Sequence, residues 1–185
     1  MKSLQYGKDI AQEIENVLSL VDDSEAEKLV SLILDSGKVF LSGTGRSGLA
    51  ARAFAMRLGH LGITSAVVGD VTAPCLSSGD LLIVCSGSGE TKGQLVMVEK
   101  AKKLGGKIAL LTINPCSSIG SLADATIHIT APTPKVPVNG VNSIQPLASL
   151  FEQCLLLVLD AIVMKLMDKL KKNSDEMFAL HANLE

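Results

Sequence analysis

Five short apolar runs constrain this chain more than any other feature: "KVFLS" (38–42), "TSAVVG" (64–69), "DLLIVCS" (80–86), "KIALLT" (107–112) and "ATIHIT" (125–130). Their apolar residues follow one another almost without interruption, which suits strands of a parallel sheet buried on both faces. Parallel strands need crossovers. Segments with helical spacing at 46–61, 91–104 and 117–123 supply them. The predicted architecture is a three-layer α/β/α sandwich on a five-stranded parallel sheet, flanked by N- and C-terminal helices.

The flanks read as follows. Residues 4–35 form two amphipathic helices, the second opened by Ser24 as N-cap with Glu27 completing a capping box. Residues 131–145, "APTPKVPVNGVNSIQ", hold three of the six prolines and no period, so a loop long enough to suspect of function is expected. Pro146 suits the first turn of a final helix reaching about Leu170. From Cys154 to Met167 that helix is apolar on nearly every face, as a helix sunk in a core or shared with another subunit would be. An oligomer is expected. The 185 residues suffice for one good core and fall short of two, so 1–185 is read as a single domain.

Composition removes several function classes. Seventeen basic against nineteen acidic side chains leave a net charge of −2, and no Lys/Arg stripe is present. With one Tyr, no Trp and four Phe, platforms for base stacking are scarce, so nucleic acid is not an expected partner. Cys75, Cys85, Cys116 and Cys154 are widely spaced with no C-x-x-C pair, which argues against a metal or disulfide framework. The start "MKSLQYGKDIAQEIE" lacks the apolar core of a signal peptide, and "CLLLVLDAIVMKLM" is broken by Asp160 and Lys165. A soluble cytoplasmic protein, with no membrane partner, is expected.

Two turns carry the chemistry. Gly43-Thr44-Gly45-Arg46-Ser47-Gly48 fits G-x-G-x-x-G between a strand and a helix, the context of a dinucleotide site, and Asp70 stands where a ribose-binding acid would. Ser86-Gly87-Ser88-Gly89-Glu90-Thr91 also joins a strand to a helix. Its glycines let the backbone bend close to a ligand, its hydroxyls donate, and the free N–H groups of a helix start favour an anion. An ordinary N-cap turn is the bland alternative. Both turns fall at carboxyl ends of parallel strands, where such sheets bind ligands, so a single phosphate ester gripped from two sides fits better than a dinucleotide. Neither turn is followed by a Walker lysine, which disfavours a nucleoside triphosphatase.

The stretches "GTGRSGLAARAFAMRLGHLG", "SGSGETK", "LTINP", "QPLASLFEQ" and the terminal "HANLE" together resemble the sugar isomerase (SIS) domain family, in that order and over essentially the whole chain. The resemblance implies a cofactor-free isomerase acting on a phosphorylated hexulose through an enediol, in the ribulose monophosphate pathway, assembled as a homotetramer whose sites borrow residues from neighbouring subunits. It makes Ser47, Ser86, Ser88 and Thr91 phosphate ligands, assisted by the backbone at Gly87 and Gly89, and Glu152 the general base. His181 and His60 are its candidates for a second acid–base, while Arg46 would steady the sugar oxygens or pair with an acid across a subunit contact. Blander roles exist: Glu152 as a surface acid, His60 as a helix cap, His181 as an exposed terminal residue. His128, in "TIHIT", reads as a strand residue facing a helix. Thr44, Gly59 and Ala148 depart from the family pattern. A regulatory sugar-phosphate sensor, or an aldose–ketose isomerase for a five-carbon sugar phosphate, are the competing readings.

Overall fold

The computed structural model describes residues 3–184. Glu185, the last residue of "HANLE", lies outside them. Five strands form one parallel sheet in the order β2-β1-β3-β4-β5: β1 Val39–Gly43, β2 Ser65–Val67, β3 Leu81–Cys85, β4 Lys107–Thr112 and β5 Ala125–His128. Each expected run holds one strand, with β1 running one residue past its run to Gly43.

The sheet is packed on both faces, and the strand pleat sorts the side chains between them. Leu81, Ile83 and Cys85 of β3 point into the larger core cluster, while Leu82 and Val84 point into the smaller one. The larger cluster is closed by α1 Ser3–Leu18, α2 Asp23–Leu34, α3 Gly45–His60 and α5 Ser149–Leu170. The smaller is covered by α4 Lys92–Lys103 and a single 3₁₀ turn, Gly120–Leu122. Each fully buried Leu, Ile or Val contributes about 1.5–3 kcal/mol over its exposed state, so a strand such as β3 is held from two sides.

Three local expectations are corrected and one helix is added. The cap of α2 is Asp22, whose carboxylate accepts from the Ser24 amide at 2.8 Å, so the shorter Ser24 side chain is inside the helix. The expected helix over 117–123 is only the 3₁₀ turn, because its polar groups are engaged elsewhere: the Ile119 amide donates to the Gly89 carbonyl, and Glu90 takes both the amide and hydroxyl of Ser118. Pro146 lies ahead of α5, accepting from the Ser149 amide, and Leu147 between them has φ of 56°. A short helix, α6 Ser174–Phe178, was not expected, although Asn173 and Glu176 form a reciprocal capping box.

Helix α5 is not buried all round. Its Leu155, Val158, Leu159 and Ile162 are in the core, while Leu157 and Met164 stay exposed. Together with Leu18, Val21 and Val30 of the α1–α2 region, that outer stripe forms an apolar groove of about 420 Å³.

Candidate active site

The strand order places a switch point between β1 and β3. From β1 the chain passes through α3 to β2 on one side; from β3 it passes through α4 to β4 on the other. Crevices open at such points, beyond the carboxyl ends of the strands. Gly43 and Cys85 are register partners at those ends, so the GTGRSG and SGSGET turns leave the sheet side by side.

Glycines make this possible by close approach. A Cβ on Gly48 would sit 2.7 Å from the Gly43 carbonyl oxygen, and one on Gly43 would be 2.9 Å from the Gly48 backbone, so strand end and helix start touch. Gly89 has φ of +64°, and a Cβ there would lie 1.9 Å from Ser117 Oγ. The first pair explains the G-x-G-x-x-G pattern as packing. Asp70 is committed to Arg52, which donates to both its carboxylate oxygens at 2.9 and 3.3 Å.

A cleft of about 360 Å³ opens over the two turns, within the range of small-molecule sites. Ser47, Ser86, Gly87, Ser88 and Thr91 line it. Gly89 stands behind it as the acceptor of the Ile119 amide. The N-caps of α3 and α4 are Thr44 and Thr91, and neither side chain makes a capping bond. That weakens the N-cap alternative, since both helix starts keep N–H groups for an anion. Ser86 Oγ accepts from the Gly89 amide and Ser88 Oγ from the Glu90 amide, each at 3.2 Å, which leaves the Ser88 hydroxyl hydrogen to donate. Ser86 and Thr91 share one hydroxyl–hydroxyl bond of 3.4 Å, which uses one of their two hydrogens. On the cleft floor, burial pushes the Cys85 thiol up to about 12, so it stays protonated and is no nucleophile.

The opposite wall comes from the start of α5. Phe151 packs under Gly87, where an added Cβ would meet its ring at 3.4 Å, and this contact seats α5 against the second turn. Glu152, one residue on, lines the cleft with its side chain 17 % exposed. Its Oε2 is 3.0 Å from Arg46 Nη1, which also donates to Ser149 Oγ at 2.8 Å. Arg46 therefore pairs with an acid of its own chain. Of the departures from the family pattern, Thr44 and Ala148 face the cleft, whereas Gly59 has open space around its Cβ position.

The remaining wall is the proline-rich segment, through Thr133, Pro134 and Lys135. Composition marked this segment without singling out a residue. Glu13 of α1 anchors its far end, accepting from Ser143 Oγ, the Ile144 amide and Gln145 Nε2 at 2.7, 2.8 and 2.9 Å. Burial raises the Glu13 carboxyl, but these three donors outweigh it and hold the group below its ordinary value. No local pattern in the sequence pairs Glu13 with a segment so distant.

The histidines lie elsewhere in the same chain. His60 and His181 face each other with ring centroids 5.1 Å apart, in a second cleft of about 550 Å³ shared with Arg57, Asp160 and Phe178. Asp160 stands two helical turns beyond Glu152 on α5, roughly 12 Å along its axis. His60 is buried, and desolvation, then His181 and Arg57, push its pKa down. It is not the helix cap: Lys172 Nζ donates to the Leu61 carbonyl at the end of α3. His128 is fastened in the fold, its amide donating to Glu25 Oε2 and its Nε2 3.1 Å from the Ile113 carbonyl oxygen.

Residues 32–158, which carry both turns and the start of α5, match the SIS domain model. The chain belongs to the SIS domain family. Among SIS relatives, a 3-hexulose-6-phosphate isomerase of Bacillus subtilis is 48% identical over 186 residues, covering 100% of each chain. That of Mycobacterium gastri is 43% identical over 176 residues, covering 95% of this chain and 88% of its own. A crystal structure from Methanococcus jannaschii, for which 3-hexulose-6-phosphate isomerase function has been inferred, superposes with a TM-score of 0.85 at 31% identity, covering 98% of this chain and 99% of that one. The SIS fold thus extends over nearly the full length.

Proposed function

We infer that this protein is an isomerase interconverting D-arabino-3-hexulose 6-phosphate and D-fructose 6-phosphate, a reading supported by its relatives named 3-hexulose-6-phosphate isomerase. The observation that carries the reading is the meeting, in one cleft, of two hydroxyl-bearing helix starts and a carboxylate. Ser47, Ser86, Ser88 and Thr91 hold the phosphate. Glu152 then faces the carbon chain.

The chemistry follows from that placement. Glu152 removes the proton from carbon 2, and the electron pair of the broken C–H bond forms the C2–C3 double bond of an enediolate. The oxygen on carbon 3 gains a proton and the oxygen on carbon 2 loses one. Glu152 returns its proton to carbon 3, leaving the carbonyl on carbon 2. Arg46 aims the carboxylate from behind.

The oxygen protons need a second acid–base. His60 and His181 supply it from a neighbouring copy of the chain, since in one chain they occupy a separate cleft. The exposed apolar stripe of α5 is the surface that supports such an assembly, a homotetramer. The enzyme is cytoplasmic and works in the ribulose monophosphate pathway. Among the described residues no helix is long and apolar enough to cross a membrane.

A coupled assay tests the reading. The 3-hexulose phosphate is generated enzymatically in place, and fructose 6-phosphate is measured. Turnover is expected. Binding without turnover would favour a regulatory sensor, and turnover of arabinose 5-phosphate instead would favour the aldose–ketose reading.

A further inference from the structure

The cleft described above is short of positive charge. Hydroxyls and amides, all neutral, line the two turns, and Glu152 adds a negative charge. Arg46 is already committed to Glu152 and Ser149. A phosphate dianion entering here would meet a carboxylate with little cationic compensation, a costly arrangement where water is partly excluded.

Among the described residues lining the cleft, Lys135 is the one cation. It makes no ion pair with any described residue, and its side chain is exposed. Its placement is specific. Residues 133–136 form a tight turn in which the Val136 amide reaches the Thr133 carbonyl at 3.1 Å and Thr133 Oγ1 at 3.0 Å, and the Thr133 amide returns to the Val136 carbonyl at 2.9 Å. Pro134 fixes φ at the first central position and Lys135 occupies the second. Val136 packs against the large core cluster, so the turn is pinned on one side and presents Lys135 at its tip.

We propose that Lys135 is a substrate-binding residue that pairs with the phosphate of the bound sugar, closing the cleft from its proline-rich wall. The proposal rests on the reading of this cleft as a sugar-phosphate site. A flexible ammonium on an exposed turn suits a point-charge contact that forms on binding and releases with product.

The test compares wild type with Lys135→Ala, Lys135→Arg and the double variant Ser86→Ala/Ser88→Ala, with thermal midpoints to verify folding. Three quantities are read: KM for the sugar phosphate, kcat, and the inhibition constant of inorganic phosphate. Lys135→Ala is expected to raise KM and the phosphate inhibition constant together, each about tenfold, with kcat within twofold, and Lys135→Arg to restore most of both. An unchanged phosphate constant in Lys135→Ala overturns the proposal, as does a fall in kcat at constant KM, which would make Lys135 a partner of the enediolate. The serine double variant separates the two failures. If it weakens phosphate inhibition and Lys135→Ala does not, only the lysine assignment falls; if neither does, the phosphate site itself is misplaced.

Discussion

Arg46 in the first turn of α3 and Glu152 in the first turn of α5 form an ion pair of 3.0 Å, joining the two helix starts that bracket the cleft. The Arg46 side chain is 53 % exposed, so solvent screens the pair and its contribution to stability is at most about 1 kcal/mol. Its consequence is orientation. With Arg46 also bonded to Ser149, the carboxylate is held on the side of α5 that lines the cleft.

Glu152→Gln keeps the shape of the side chain and removes its ability to accept a proton. Isomerisation should fall by about 10²- to 10⁴-fold, while binding of fructose 6-phosphate, followed by calorimetry, changes by no more than a few-fold. Retained turnover would remove Glu152 as the base.

Arg46→Met deletes the pair and the Ser149 bond while leaving the hydroxyls of Ser47, Ser86, Ser88 and Thr91 in place. About a tenfold loss of kcat is expected, with KM nearly unchanged, and Arg46→Lys should recover only part because an ammonium lacks the guanidinium fork. A raised KM at unchanged kcat would show instead that Arg46 holds the substrate.

Gly89→Ala places a Cβ at φ +64° and within 1.9 Å of Ser117 Oγ. A destabilisation of at least about 2 kcal/mol is expected from the backbone and the clash together, read as a lower midpoint in urea. Gly93→Ala, in the same region with nothing within 4 Å of its Cβ position, is the control and should be neutral or stabilising. Equal midpoints for the two variants would contradict the described geometry.

His60 gives a pH dependence of defined sign. Its folded pKa lies below its ordinary value of 6.5, chiefly through desolvation, so the unfolded chain binds the proton more readily. The stability it contributes is complete above pH 6.5 and is lost as pH falls from there through the folded value. The thermal midpoint should drop over that window, and His60→Asn should flatten the drop. Other groups facing it are His181, Arg57 and Asp160, so His60→Asn is compared with His181→Asn to separate the two rings. A drop unaffected by His60→Asn would place the titration elsewhere.

Much of this molecule is legible one segment at a time. The back-to-back apolar runs specify a sheet buried on both faces, because a strand with no polar side cannot meet water, and the Gly- and Ser-rich turns mark where backbone must bend at a strand end. Two local patterns failed because a distant group had claimed a residue. Glu90 and Gly89 draw the 117–123 segment out of a helix, and Arg52 takes the acid that a dinucleotide site would have needed.

The site itself is a product of tertiary structure. Nothing in the order of residues says that Gly43 pairs with Cys85, which sets the two turns side by side, or that α5 begins against Gly87 with Glu152 facing inward. Lys135 reaches the cleft only because Val136 is pinned to the core and Glu13 ties down the end of its loop. Local sequence specifies elements because backbone preference and side-chain period act over a few residues. Which elements meet is decided by burial and hydrogen bonding between segments far apart in the chain, and catalysis depends on those meetings.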